Sequence, residues 1–500
     1  TSNRSQVWFN RSDEASYAGL ISGSGSLTKL GSGRLTLTAN NTFSGSTTIT
    51  SGILRLGSGS GAGNVGAGAI INNAALSVER SDDLTIANAI SGSGSFNKLG
   101  TNSLTLTGLA TYTGSSAVTG TLIFKNDAAP STVGFTGNGA LVIEPSSANF
   151  ASAITTSYTY GSSLTSLTLG KVGNASNITV GSTTLINGPI RIYANNIAIN
   201  AALTASNDNL HLFASGNVSQ SSAITANGLS LIGSGSFTLN HLSNALSTLA
   251  AGDINSRIGN LYLTNSQALT VGTVNPTGIH SSGTVHLETI SGNLTIAQNI
   301  STTDTTVNAV FINAGKSAVA GVTTGGNIII SGGATIATGT NGRITLMTGS
   351  IDDSTGVTSL VGSGSGKFRY NSDEDVTRYS AALGSGAHAI YREKPVLTIT
   401  ADVKNIIYGN AVTFTSTVSA YKNGDTLAQS ILSAANVTTP ATITSSGFYV
   451  AGTHTLTPSS ASSSLGYDFT YVTGDLTVDR RAITLTADNR TKVYGDVLSL

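Results

Sequence analysis

The sequence predicts an all-β fold: a right-handed parallel β-helix, or solenoid, followed by small β-sandwich-like repeat modules. Three observations carry this expectation. Glu, Lys, Gln and Met are scarce while Thr, Val, Ile, Ser and Asn abound, and there are 59 Gly where ordinary usage gives about 35. That is the composition of short strands and many turns. Apolar residues alternate with Thr, Ser or Arg in runs of four or five, bounded by Gly, Ser and Asn. Finally, whole segments recur at fixed offsets, as repeat architectures require.

The first element is a repeat of about 69 residues. Gly23-Ser24-Gly25-Ser26-Leu27-Thr28-Lys29-Leu30-Gly31 returns as Gly92-Ser93-Gly94-Ser95-Phe96-Asn97-Lys98-Leu99-Gly100, an offset of 92 − 23 = 69. Arg11-Ser12-Asp13 meets Arg80-Ser81-Asp82, Leu35-Thr36-Leu37-Thr38 meets Leu104-Thr105-Leu106-Thr107, and Phe43 meets Tyr112 at the same offset. Period-2 alternation puts Leu35 and Leu37 on one face and Thr on the other. No such unit buries two faces alone, whereas stacked coils share one continuous core.

From about residue 175 the period changes. Strand starts recur at Ile190 (IRIYA), Leu210 (LHLFA), Leu229 (LSLIG), Leu261 (LYLTN), Val285 (VHLET), Val310 (VFINA), Ile328 (IIISG) and Ile344 (ITLMT), with spacings scattered around 20. At roughly 20 residues per coil and 4.8 Å between coils, residues 5–390 give about 20 coils. The residues expected to point into the core are Leu35, Leu37, Leu104, Leu106, Ile190, Ile192, Leu210, Leu212, Ile328 and Ile330. The pattern fades near Asp373-Glu374-Asp375, and a charged exit runs through Tyr391-Arg392-Glu393-Lys394-Pro395.

A different unit follows. Leu397-Thr398-Ile399-Thr400-Ala401-Asp402 leads to Tyr408-Gly409-Asn410, and Ile483-Thr484-Leu485-Thr486-Ala487-Asp488 leads to Tyr494-Gly495-Asp496, an offset of 483 − 397 = 86. About seven strand-like runs in 86 residues fit a small β-sandwich. The expected organisation is therefore 1–160 and 161–390 as two solenoid regions, 395–481 as a β-rich module, and 482–500 as the start of a second module. With Thr1-Ser2-Asn3-Arg4 at its start, carrying neither an initiator nor a signal peptide, the chain reads as a piece of something longer.

Charge and cysteine content narrow the function. Lys+Arg and Asp+Glu are both 24, so the net charge is zero, and charged residues are only 10%. A nucleic-acid binder needs a basic face, and so does a protein held electrostatically on a membrane surface. Zero cysteines exclude a disulfide framework, a thiolate metal site and a cysteine nucleophile.

The two 69-offset units resemble the autotransporter-associated β-strand repeat of Gram-negative secreted passengers, on the Gly-Ser-Gly-Ser-Leu/Phe-x-Lys-Leu-Gly run and the Leu-Thr-Leu-Thr strand. Residues 175–365 resemble the rungs of filamentous-haemagglutinin-type exoproteins in pattern. Residues 395–500 are similar to the Tyr-Gly-Asp/Asn β-rich modules of large bacterial adhesins, on Leu397–Asp402, Tyr408-Gly409-Asn410 and Gly474-Asp475-Leu476-Thr477-Val478. The resemblance implies a type V secreted, surface-displayed, outer-membrane-associated adhesin of a Gram-negative bacterium. It implies as partners an outer-membrane transporter during secretion and host-cell, surface or matrix polymers, glycan or protein, held by multivalent contact. Autotransporter and two-partner routes both stay open. So do two competing functions, a β-helical polysaccharide-active enzyme and a passive biofilm or surface-layer scaffold.

No motif demands chemistry. Gly61-Ala62-Gly63-Asn64-Val65-Gly66, with Asp82 downstream, matches the dinucleotide fingerprint, but Gly68, Asn72 and Asn73 interrupt any helix after it, so it reads as a solenoid turn. His280, His286 and Glu288 are the one set near metal spacing, and alternation reads His286 and Glu288 as a solvent-facing pair. Asp352-Asp353 and Asp373-Glu374-Asp375 could offer carboxylates to calcium but lack a calcium-loop pattern. Acids are too scattered for a glycosidase pair, and no aromatic cluster is visible. The expectation is no catalytic residue, no cofactor and no metal.

Overall fold

The computed structural model describes residues 2–495 and Val497. It is 45% strand and 2% helix, with a parallel β-solenoid of about 18 turns. The chain divides into two compact units, the first running to Glu393 and the second from Lys394, with 364–366 and 378–381 grouping with the second.

In the first unit each coil lays its strands on those of the coil before, in parallel and in register. One inward column on the 16-stranded sheet runs Leu84, Leu104, Leu122, Leu141, Leu167, Ile190, Leu210, Leu229, Leu249. From Leu104 to Leu249 every member is fully buried. Alternation produces the column: Ile190 and Ile192 point in, Arg191 and Tyr193 point out. Of the ten residues expected in the core nine are buried, and Ile330 is only half-buried. Its strand, Ile328–Ile330, ends the path of its sheet, so no further coil lies on it.

The 69-residue repeat is not a whole number of coils. Following the ladder up from Leu27 leads to Thr47, Ile70 and Ile90, three coils and 90 − 27 = 63 residues later. Phe96, the repeat partner of Leu27, lies six residues further on, where it pairs with Leu76 and Ser116 on the next face. Leu35 lies on that same face, stacked on Ala15 and Leu54, while its partner Leu104 has moved to the following one. The second copy is thus rotated by one face of the coil.

The coil length near 20 is also constant across residue 175. Leu35, Leu54, Leu76 and Phe96 follow at 19, 22 and 20 residues, and Ile190, Leu210, Leu229 and Leu249 at 20, 19 and 20. What changes at residue 175 is the sequence similarity, not the period of the fold. The irregular strand spacings arise because the run of strand starts crosses faces: Leu229 belongs to the 16-stranded sheet, whereas Leu261, Val285, Val310 and Ile344 form a column of the 11-stranded sheet. Fewer coils than expected fit because late coils carry excursions. Ile344 pairs with Ala387, 387 − 344 = 43 residues on, with 349–385 between the two strands.

The charged exit is in fact interior. Tyr391 and Arg392 are fully buried, and Tyr391 closes the strand Gly386–Tyr391, paired with Arg343–Thr348. Rings of Phe368 and Tyr370 stack on Tyr391 at 6.4 and 5.8 Å. Arg392 Nη2 donates to the Gly326 carbonyl at 2.7 Å.

The second unit is a two-sheet module. Val396–Ala401 lies between antiparallel Ser416–Ser419 and parallel Asp468–Val472. The other sheet runs Lys404–Ile407, Gly474–Asp479, Gly452–Ser459, Asn436–Thr438. Ala401, Leu456, Leu476 and Val478 form its core, with Tyr408 and Phe414 packed against them. Gly409 takes φ +90°, the left-handed turn that its pairing with Tyr408 suggests. The stretch 482–495 forms no strand, and Ile483, Leu485 and Tyr494 are exposed. Its equivalent, Leu397–Asp402, is held from both sides by partner strands; Ile483–Asp488 pairs with none among the described residues.

Candidate functional site

Coil stacking converts equal outward positions on successive strands into columns about 4.8 Å apart along the axis. Two such columns on the solenoid are aromatic. Tyr193 and Phe213 are ladder partners and stack at 4.1 Å with 11° between ring planes. They line a groove of about 470 Å³ with Val172, Asn174, Ser215 and Ile232. Tyr262, His286 and Phe311 form a second column, with centroid separations of 5.6 and 4.6 Å. Intervals of 20, 24 and 25 residues hide both clusters in the sequence. Aligning the strand starts would have shown them: Tyr193 and Phe213 are each fourth in IRIYA and LHLFA, and Tyr262, His286 and Phe311 are each second in LYLTN, VHLET and VFINA.

Beside the second column runs a polar one, Thr264 to Glu288 to Asn313. Glu288 is buried, not solvent-facing as alternation suggested, because Lys316 from the next loop folds over it. Its Oε2 accepts from Lys316 Nζ at 2.5 Å and Thr264 Oγ1 at 3.1 Å, and its Oε1 lies 3.1 Å from His286 Nε2. Burial alone would push this carboxyl up, but the hydrogen bonds from His286 and Lys316 outweigh it and hold it at about 2. A cleft of about 400 Å³ opens here, lined by Asn240, Leu242, Tyr262, Thr264, His286, Glu288 and Lys316.

The remaining sequence candidates scatter. His280 lies on another strand, Ile279–Ser281, and its Nδ1 meets Ser301 Oγ at 2.8 Å, so it does not join His286 and Glu288. Asp373 is buried and accepts from the backbone N–H groups of Ala320, Asp375 and Val376 at 2.5–2.8 Å, which commits its carboxylate to loop anchoring. Asp352 and Asp353 are exposed in a turn. Among the described residues no three His, Asp or Glu side chains gather as a metal site would require. His388 is buried; burial drives its imidazole down to about 4 despite the Gly386 carbonyl beside it.

The glycine-rich loop is a coil turn. Cβ atoms at Gly63 and Gly66 would lie 2.4 Å from the Leu37 carbonyl and 1.9 Å from that of Phe43, so close coil packing demands the glycines. Arg80 binds the loop's carbonyls, Nη2 to Gly61 at 2.5 Å and Nη1 to Gly63 at 3.2 Å, and pairs with Asp82 at 2.8 Å. A phosphate loop points N–H groups at its ligand; this one points carbonyls at a guanidinium.

Sequence reasoning also passed over the repeat's lysines. Lys29 and Lys98 are buried, and burial pushes both ammonium groups down. Lys98 Nζ donates to the carbonyls of Leu99 and Gly100 at 2.8 Å, Asn102 Oδ1 at 3.1 Å and the Thr119 carbonyl at 3.2 Å. Lys29 does the same for Leu30, Gly31 and Ser51. The signal was present: each lysine stands two residues after an inward Leu27 or Phe96, hence on the core side.

Residues 27–56 and 96–125 match the passenger-associated-transport-repeat, and residues 397–477 match the MBG domain of YGX type. No curated protein and no solved structure matches the chain. Together the repeats, the MBG domain and the solenoid make this an autotransporter-passenger, adhesin-like chain. The repeat family implies secretion to the cell surface. Among the described residues no helix is long and apolar enough to cross a membrane.

Proposed function

We propose that this chain is a non-catalytic adhesive rod of a passenger displayed on the outer surface of a Gram-negative bacterium, holding cell, surface or matrix polymers by multivalent contact. The observation that carries the reading is the register of outward columns. Each coil repeats the position of its neighbour, so one kind of side chain becomes a line of contacts, as with Tyr262, His286 and Phe311. Weak contacts along such a line multiply by avidity. The passenger-associated repeats favour autotransport over a two-partner route, and the MBG module supports an adhesin. Hydrolysis of glycans needs two opposed carboxylates, whereas Glu288 already has Lys316 as its counter-ion.

The test is display of this chain through an autotransporter barrel on a non-adherent host. Adherence to cultured epithelial cells, matrix-coated plates or sister bacteria should rise well above that of the barrel alone. Adherence equal to the barrel alone on all three would overturn the adhesive reading, and release of reducing sugar from a polysaccharide would overturn the non-catalytic one.

A further inference from the structure

The cleft beside Tyr262 combines features that a simple structural stack does not need. The aromatic column is interrupted on one side: the ladder partner of Tyr262 in the preceding coil is Thr238, an exposed and small residue. The ring of Tyr262, 38% exposed, therefore closes its column without an aromatic neighbour on that side. Asn240 and the exposed Leu242 flank the opening, and Glu288 lies at its floor with Lys316 beside it.

We propose that this cleft binds a neutral saccharide, one sugar ring taking the place of the missing aromatic rung on Tyr262. The proposal rests on the adhesin reading above and assigns it a ligand class. An aromatic face is the negative end of the ring quadrupole and attracts the weakly positive C–H groups of a sugar's flat face. Hydroxyl groups around that sugar need donors and acceptors in fixed places. A carboxylate accepts about four hydrogen bonds, and Glu288 takes three from protein groups. One acceptor position remains. Lys316 gives one proton to Glu288, so its half-exposed ammonium keeps others for a ligand, and the exposed Asn240 amide adds both functions.

Charge selects within the class. Lys316 and Glu288 neutralise each other at 2.5 Å, so the cleft presents neither a free cation to an acidic polymer nor a free carboxylate to a basic one. A purely apolar ligand would bury the polar floor without satisfying it. A neutral glycan segment, with one flat C–H face and a polar rim, matches both walls.

The experiment titrates the purified chain by calorimetry with cello-, chito-, malto- and manno-oligosaccharides, and with heparin oligosaccharide as the anionic comparison. At least one neutral oligosaccharide should bind, with an affinity that is the same at low and high salt. Tyr262→Ala should weaken it by ~10-fold or more, about 1.4 kcal/mol. Tyr193→Ala, in the other column, should leave it unchanged, and Tyr262→Phe should retain it. Circular dichroism melts show whether Tyr262→Ala still folds; if it does not, Asn240→Ala and Leu242→Ala, both on exposed positions, serve instead. Binding of heparin alone, binding indifferent to these substitutions, or no binding by any neutral oligosaccharide would overturn the proposal. The display assay separates the two readings. Adherence that persists in displayed Tyr262→Ala, with no saccharide bound, sinks the ligand assignment and leaves the adhesin. Saccharide binding by a chain that adheres to nothing does the reverse.

Discussion

A lysine buried at a corner of the coil must direct its protons at protein acceptors, because water cannot reach them. Lys98 does so with four acceptors, three of them carbonyls that no neighbouring strand could serve in a tight turn. The same solution at Lys29 belongs to a different corner, since the second repeat copy is rotated by one face. The lysine thus travels with the turn and not with the face. Lys98→Met keeps the apolar stem but leaves those acceptors unpaired in a buried site, which should cost about 3 kcal/mol. Lys125→Met, on an exposed strand position 3.9 Å from Glu144, should change stability by less than about 0.5 kcal/mol. Urea midpoints of the two variants make the comparison. Equal midpoints would mean that the buried ammonium contributes nothing beyond its stem.

At the level of the strand, alternation told inward from outward almost without error. It failed at Ile330, where the ladder ends, and at Glu288, which points outward but is covered by Lys316. Both failures have one cause: burial depends on what lies above a strand, and alternation reports only which side a residue takes. The face to which a strand belongs was not legible either, because every face of the coil shows the same period of two. Hence the apparent change of period near residue 175, and hence the aromatic columns that the sequence did not show. Register can be tested directly. Leu212 is fully buried and continues the column Ile192, Leu212, Leu231, whereas Thr295 is half-buried on an outward position. Leu212→Asp places a carboxylate in the apolar column and should lower stability by about 4 kcal/mol or more; Thr295→Asp should lie within about 1 kcal/mol of the parent. Thermal melts that reverse this order would displace the register of the 16-stranded sheet by one residue.

Across the whole solenoid, core and hydrogen bonds form only between adjacent coils, so the rod can fold progressively as chain is delivered to it. That suits a passenger that crosses an outer-membrane pore largely unfolded, and it gives a physical reason for the absence of cysteine from 500 residues. A disulfide closed in the oxidising periplasm makes a loop that a narrow channel cannot pass. At a usage of about 1%, roughly five cysteines would be expected by chance, so their absence invites a cause. Ser32 and Ser103 are suited to probe it. They lie at corners of different faces, with more than three coils between them, so on the order of 15 Å of axial separation keeps them from bridging in the folded rod. Cysteines at both positions can pair only while the chain is unfolded. Attached to its transporter, the chain carrying Ser32→Cys and Ser103→Cys should stall before reaching the surface in cells with an active disulfide-forming system. Display should recover on adding reductant, and each single substitution should be displayed normally. Full display of a chain shown to be cross-linked in the periplasm would mean that the pore admits closed loops, and the absence of cysteine would then need a different explanation.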